Sequence, residues 1–200
     1  KGNKVEALKG VTLTLPDNGI VILLGESGSG KSTLLNALGG LDSYEGSIDY
    51  GTERAHGDSI NKFDEYRRLN VGYIFQDFYL NDDLSVVDNI RQGLQIVGIT
   101  EEAEVKKRTN QALFAVSMSL FKKRLCSQLS LGQKQRIAIA RSLAINPKII
   151  LADEPTGNLD SKNSQQIMRI LKKISSNMLV VIVSHNESLA KEYADYIYRI

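Results

Sequence analysis

Gly25-Glu26-Ser27-Gly28-Ser29-Gly30-Lys31-Ser32 follows directly on the apolar run Ile20–Leu24 and decides how the rest of the chain is read. The spacing is G-x-x-x-x-G-K-[ST], a phosphate-binding loop. Glycines at this spacing let the backbone turn tightly enough for successive N–H groups to point at one anion, and a helix starting near Lys31 adds its positive dipole end. Lys31 would reach the β- and γ-phosphates, with the Ser32 hydroxyl on a Mg²⁺ held between them. The plain alternative is a Gly/Ser-rich connection. A strand-like run before the loop and the helix-forming Thr33-Leu34-Leu35-Asn36-Ala37-Leu38 after it favour the phosphate reading.

The 200 residues, 42% hydrophobic, suffice for one compact domain with a substantial core. Lys and Arg number 25 against 23 Asp and Glu, a net charge of +2, too even for the basic surface that nucleic acid or an anionic membrane attracts. Cys126 is the single cysteine, so no intrachain disulfide forms and a reducing cytoplasm fits. The longest apolar runs, Ile20–Leu24 and Met178–Val183, fall well short of the ~20 residues of a membrane span. No repeat, low-complexity tract or leader pattern is read.

Along the chain, Val11, Leu13 and Leu15 alternate with polar residues before the turn-forming Pro16-Asp17-Asn18-Gly19, which predicts a hairpin feeding the phosphate loop. A short strand is expected around Ser47–Tyr50, a polar surface loop over Gly51–Gly57 and a charged, exposed helix over Asn61–Leu69. Four apolar runs each end at a particular polar group: Leu24 before Gly25, Phe75 before Gln76, Ala152 before Asp153, and Val183 before Ser184-His185. Continuous apolar runs alternating with helical segments predict an α/β fold with a parallel sheet, whose ligands bind at the strands' carboxyl ends. Residues 85–129 read instead as a helical insertion, with Thr100 capping a helix that carries Val105, Thr109, Ala112 and Val116 on one face.

Asp153 and Glu154 end a buried strand as neighbours that point in different directions, so different roles are expected of them. Asp153 would orient Mg²⁺ through water, and Glu154 would take a proton from the water attacking the γ-phosphate. In isolation an Asp-Glu pair is an ordinary solvated loop, a glutamine after a strand a satisfied amide, and one histidine a structural one. Their shared place at sheet ends favours Gln76 touching metal or water and His185 donating to the γ-phosphate. In Leu129-Ser130-Leu131-Gly132-Gln133, Ser130 and Gln133 stand at capping-box spacing, which starts a helix with exposed N–H donors. Spacing alone equally describes a capped core helix ending at Asn146-Pro147.

Together these stretches resemble the nucleotide-binding subunit of an ATP-binding cassette (ABC) transporter over nearly all the chain. Gly25 to Ser32, with Thr33 following, resembles Walker A, Gln76 the Q-loop, Leu129 to Gln133 the LSGGQ signature, Ile149 to Glu154 Walker B, Gly157 to Asp160 the D-loop and His185 the switch histidine. Asp153-Glu154-Pro155-Thr156-Gly157-Asn158-Leu159-Asp160 and Gly72-Tyr73-Ile74-Phe75-Gln76 look most like the macrolide-export and lipoprotein-release ATPases. The resemblance implies a P-loop NTPase fold with a mainly parallel sheet, a small antiparallel β part, and a helical subdomain over about 81–140 between core parts 1–80 and 141–200. It implies ATP and Mg²⁺, and a head-to-tail dimer in which Ser130, Gly132 and Gln133 act on the partner's ATP while Asp160 caps its own helix and communicates across the dimer. It also implies a membrane permease, docked near Asp77-Phe78-Tyr79-Leu80, and a place on the inner face of the cell membrane. No aromatic residue precedes Tyr44, so the family's adenine-stacking aromatic is expected upstream of Lys1, and the strand-like Tyr196–Ile200 run is expected to continue; both ends are read as trimmed.

Three functions follow from the resemblance: powering a permease that exports a compound or extracts a lipid-linked one, mechanical or regulatory work on a membrane partner, and clamping on a nucleic acid or ribosome. The last usually carries coiled coils or two linked cassettes, which this chain lacks, and no nucleic acid is expected. Leu131 stands where the signature has its first glycine. Removing one phosphate-directed donor costs about 10²–10³ in rate, and Leu131 removes none. Steady-state ATPase assays of Leu131→Gly are therefore expected to show a change below about tenfold.

Overall fold

The computed structural model describes residues 8, 10–51, 54–56 and 60–200. Its elements, in chain order, are β1 (Gly19–Leu24), α1 (Lys31–Leu38), β2 (Ser47–Asp49), β3 (Arg54–His56), α2 (Ile60–Asn70), β4 (Val71–Ile74), α3 (Val86–Ile96), α4 (Glu102–Ala115), α5 (Leu131–Ala144), β5 (Ile149–Asp153), α6 (Ser161–Ile174), β6 (Leu179–Ser184), α7 (Glu187–Tyr193) and β7 (Tyr196–Arg199). Five strands form one parallel sheet in the order β4-β5-β6-β1-β7.

Strand periodicity explains why β1, β5 and β6 are apolar at nearly every position. Ile20, Ile22, Leu24, Ile150, Ala152, Val180 and Ile182 face one core, shared with α3, α4, α5, α6 and α7. Val21, Leu23, Ile149, Leu151, Leu179, Val181 and Val183 face the other, covered by Leu34 and Leu35 of α1 and by Leu13 and Leu15. Each fully buried Ile or Leu contributes about 1.5–3 kcal/mol.

The hairpin expected before the phosphate loop does not form. Both edges of β1 are taken by β6 and β7, so residues 11–16 have no edge to pair with and run without strand structure. The antiparallel part lies later, where Ser47–Asp49 pairs with Arg54–His56 inside the stretch expected to be a loop. Ala55 is buried there, and Arg54 closes the turn on Asp49 at 2.8 Å. Residues 52, 53 and 57 of that expected loop lie outside the described residues.

In the helical insertion, Val86, Ile90 and Leu94 stand four residues apart and bury one face of α3. Ser85 caps this helix by accepting from the Asp88 N–H at 3.2 Å. On α4 the expected buried face, Val105, Thr109 and Ala112, is found, and Val116 follows it. Its cap is Glu101 rather than Thr100, because the longer carboxylate reaches two amides, Ala103 N–H at 3.0 Å and Glu104 N–H at 2.8 Å.

Asp195 ties the start of β1 to α6. Its Oδ2 accepts from the Ile20 N–H at 2.8 Å and its Oδ1 accepts from Lys172 Nζ at 2.7 Å. The first of these, then the second, holds the carboxyl below its ordinary range. The carboxylate therefore adds stability above the unfolded value of about 4, and that stability is lost as pH falls through the lowered folded value. Asp195→Ala strands the buried Ile20 amide and should cost about 1–3 kcal/mol near neutral pH. Calorimetry should show the gap from wild type closing below about pH 4.

Candidate ATP site

Register brings the four expected strand ends together. Leu24 is the Cα partner of Ser184, Ala152 of Ile74 and Asp153 of Val183. Gly25, Gln76, Asp153, Glu154 and His185 therefore emerge at one edge of the sheet, its carboxyl end.

The loop between β1 and α1 is built by glycine where no other residue fits. A methyl group at Gly25 would lie 2.5 Å from the Ile200 carbonyl oxygen. Gly30, the N-cap of α1, has φ 94°, a left-handed conformation that L side chains rarely adopt. Lys31 opens the helix and is 5% exposed. Its ammonium donates to the Glu26 carbonyl and to Ser29 Oγ at 3.3 Å, and it forms no ion pair among the described residues. A buried cation held only by neutral groups is stabilised by an anion that reaches it, which is what a chain of phosphates supplies.

Ser32 Oγ donates to Asp153 Oδ1 at 3.0 Å, joining the loop to the end of β5. Burial raises the Asp153 carboxyl above its ordinary value; the Ser32 hydrogen bond and the Lys31 charge oppose this in part, and neighbouring Glu154 adds to it. Hydroxyl, carboxylate and the Gln76 amide are hard oxygen donors at one strand edge, a set that suits Mg²⁺, which keeps several waters and binds phosphate oxygens. The described residues hold no cluster of three or more His, Cys, Asp or Glu able to bind a metal by themselves, so phosphate and water would complete the shell.

Glu154 departs from the strand with φ 42°, in the left-handed region, while its N–H still donates to the Val183 carbonyl at 3.1 Å. Its Oε1 lies 3.1 Å from His185 Nδ1. A methyl group at Gly157 would lie 3.3 Å from Glu154 Oε2 and 3.4 Å from Gln76 Nε2, which places both side chains around the same glycine. A cavity of about 370 Å³ lined by Thr156, Ser184 and Asn186 opens beside Glu154 and His185, leaving room for water next to the carboxylate.

This combination of a phosphate loop and a strand-end carboxylate pair recurs in known proteins. The sequence profile of the ABC transporter family matches residues 8–157. The chain belongs to the ABC transporter family. It is 39% identical over 199 residues to the uncharacterized ABC transporter ATP-binding protein MJ1508 of Methanocaldococcus jannaschii, covering 98% of this chain and 88% of that protein. It is equally identical, over 98% of this chain and 86% of the relative, to the lipoprotein-releasing system ATP-binding protein LolD of Francisella tularensis. The sulfate/thiosulfate import ATP-binding protein CysA of Acinetobacter baylyi is 40% identical over 96% of this chain, which spans 54% of CysA. The dimeric, post-hydrolysis structure of the ATP-binding cassette MJ0796 with ADP and Pi superposes with TM-score 0.86 at 36% identity, covering 100% of this chain and 89% of that one. The chain is thus an ABC ATPase in fold and in activity.

Within this ABC cassette the remaining expected residues lie at helix starts. Ser130 and Gln133 form the full capping box of α5, with Ser130 N–H donating to Gln133 Oε1 at 3.0 Å and Gln133 N–H to Ser130 Oγ at 3.4 Å. Their described hydrogen bonds stay within that cap, while Gly132 seats on Asn163 of α6. Asp160 caps α6 by accepting from the Asn163 N–H at 2.9 Å. Thr33 lies in the first turn of α1.

Sequence reasoning missed Arg141. Its guanidinium donates to the carbonyls of Phe78 and Tyr79, just past Gln76, where Tyr79 takes φ 47° and is 66% exposed. A signal was present: an arginine inside the apolar run Ile137–Ala144 must find acceptors if it is buried.

The raised Asp153 gives a test. Its charge is penalised on folding, so stability declines as pH rises from the unfolded towards the folded value and stays lower above it. Asp153→Asn, whose amide oxygen can still accept from Ser32, should melt higher than wild type near neutral pH without nucleotide, and the two should converge in acid.

Proposed function

We propose that this ATPase binds MgATP at the sheet edge, pairs head to tail with a second copy, and powers a membrane permease that exports or releases a lipid-linked compound. The buried Lys31 with only neutral partners, one hydrogen bond removed from the Asp153-Glu154 strand end through Ser32, carries this reading. The amides of residues 25–33 and the Lys31 ammonium bind and orient the phosphates. Ser32, Asp153 and Gln76 are the residues that would hold Mg²⁺, which would supply charge neutralisation for the phosphates. Glu154 accepts the proton of the water that attacks the γ-phosphorus as the bond to the bridging oxygen of ADP breaks. His185, held by Glu154, donates to the γ-phosphate and keeps both groups in register.

Ser130, Gly132 and Gln133 complete the partner's site, as supported by a capped helix start that does not bond to its own phosphate loop and by the dimeric relative. The helices of about 81–140, with α5 running on to Ala144, make a helical subdomain beside the sheet. The cargo class follows the strand-end and D-loop residues, which resemble lipoprotein-release ATPases, and the LolD relative supports it. The place of the chain is cytoplasmic, on the inner face of the membrane through the permease; no described helix is long and apolar enough to cross a bilayer.

Glu154→Gln keeps the shape and removes the base. Its hydrolysis should fall at least about 10²-fold, and with MgATP it should elute as a dimer in size-exclusion chromatography. Hydrolysis at the wild-type rate would remove Glu154 from the mechanism.

A further inference from the structure

Gly132, in the first turn of α5, has no room for a side chain, and what crowds it belongs to the same chain. A methyl group there would lie 2.5 Å from Asn163 Oδ1, 2.8 Å from its Cγ and 3.3 Å from its Cβ. Gly132 is buried, whereas Leu131 beside it is 54% exposed. The first turn of α5 therefore turns Leu131 outward and seats Gly132 on α6.

Asn163 is anchored in turn. Its N–H donates to Asp160 Oδ1 at 2.9 Å and its Nδ2 donates to Asp160 Oδ2 at 2.6 Å. A carboxylate only accepts, so the amide nitrogen must face Asp160 and the amide oxygen is left against Gly132. These bonds, the backbone one first, hold the Asp160 carboxyl below its ordinary range. Both oxygens of Asp160 are engaged within the chain, and one planar amide spans from that cap to the signature turn.

We propose that Asn163 is a positioning residue that locks the turn Ser130–Gly132 to the Asp160 cap, so that the groups offered to a partner's ATP keep one spacing. The inference rests on the trans arrangement proposed above. The glycine at 132 is on this account required by Asn163, through packing within the chain, while its backbone N–H stays free for the nucleotide.

Gly132→Ala, Asn163→Ala and the double variant separate these requirements. Gly132→Ala should lower kcat on the order of 10²-fold, the effect of a small displacement of a catalytic group. Adding Asn163→Ala should restore activity to the level of Asn163→Ala alone, with the affinity of each single chain for ATP unchanged throughout. Two readouts need no ATP turnover and judge the strut even if the wild-type chain proves not to pair. Asn163→Ala should speed hydrogen exchange at the Gln133 and Lys134 amides, which bond to Ser130, and the melting temperature lost in Gly132→Ala should return in the double variant. A double variant no better than Gly132→Ala in melting and activity, or unchanged exchange at Gln133 and Lys134 in Asn163→Ala, overturns the proposal.

Discussion

Enclosing a lysine ammonium among neutral groups is the constraint on which this structure turns. Lys31 is 5% exposed, yet its hydrogen bonds go to a carbonyl and a hydroxyl of its own loop. Burying a charge without an opposite one is costly, so the loop is most stable when an anion completes it. Coupling between that anion and the rest of the chain then runs through Ser32, the residue after Lys31, to the carboxylate at the end of β5. The half-buried Asp153 charge is in the converse position, favoured by any cation that reaches it.

The parallel sheet sets the distance between these two charges. Because β1 and β5 both lie beside β6, the phosphate loop and the acidic strand end are separated by one strand, and His185 follows the end of that strand. Two of the residues with strained backbone follow strands that end at the site. Glu154 and Tyr79 both occupy left-handed backbone without being glycine, a conformation costing on the order of 1–3 kcal/mol each. Each is held by a neighbour: Glu154 by the Val183 carbonyl and His185, Tyr79 by Arg141 on its carbonyl.

Helix α5 links these regions mechanically. Its capped start rests on Asn163, and near its end Arg141 grips the segment after Gln76. Its 14 residues span about 21 Å at ~1.5 Å per residue. The helices of the insertion bury Val86, Ile90, Leu94 and Leu113 in the same core as Ile22 and Ile150 of the sheet. The helical part and the sheet are therefore joined through packed apolar contacts and the Arg141 guanidinium.

The sequence by itself determined what is local or strictly periodic. Glycine spacing made the phosphate loop legible, unbroken apolar runs marked the buried strands β1, β5 and β6, and Ser130 with Gln133 marked a helix start. Those signals are carried by neighbours in the chain, so no fold is needed to read them. Only the tertiary structure decided which edges were free. Alternation over residues 11–15 looked like a strand, but β1 had no edge left to pair with, and Arg54–His56 took the antiparallel place instead. The partners of Arg141, 62 and 63 residues away, and the seat of Gly132 on Asn163 were equally invisible, because which side chain occupies a given few ångströms is set by packing between elements distant in sequence.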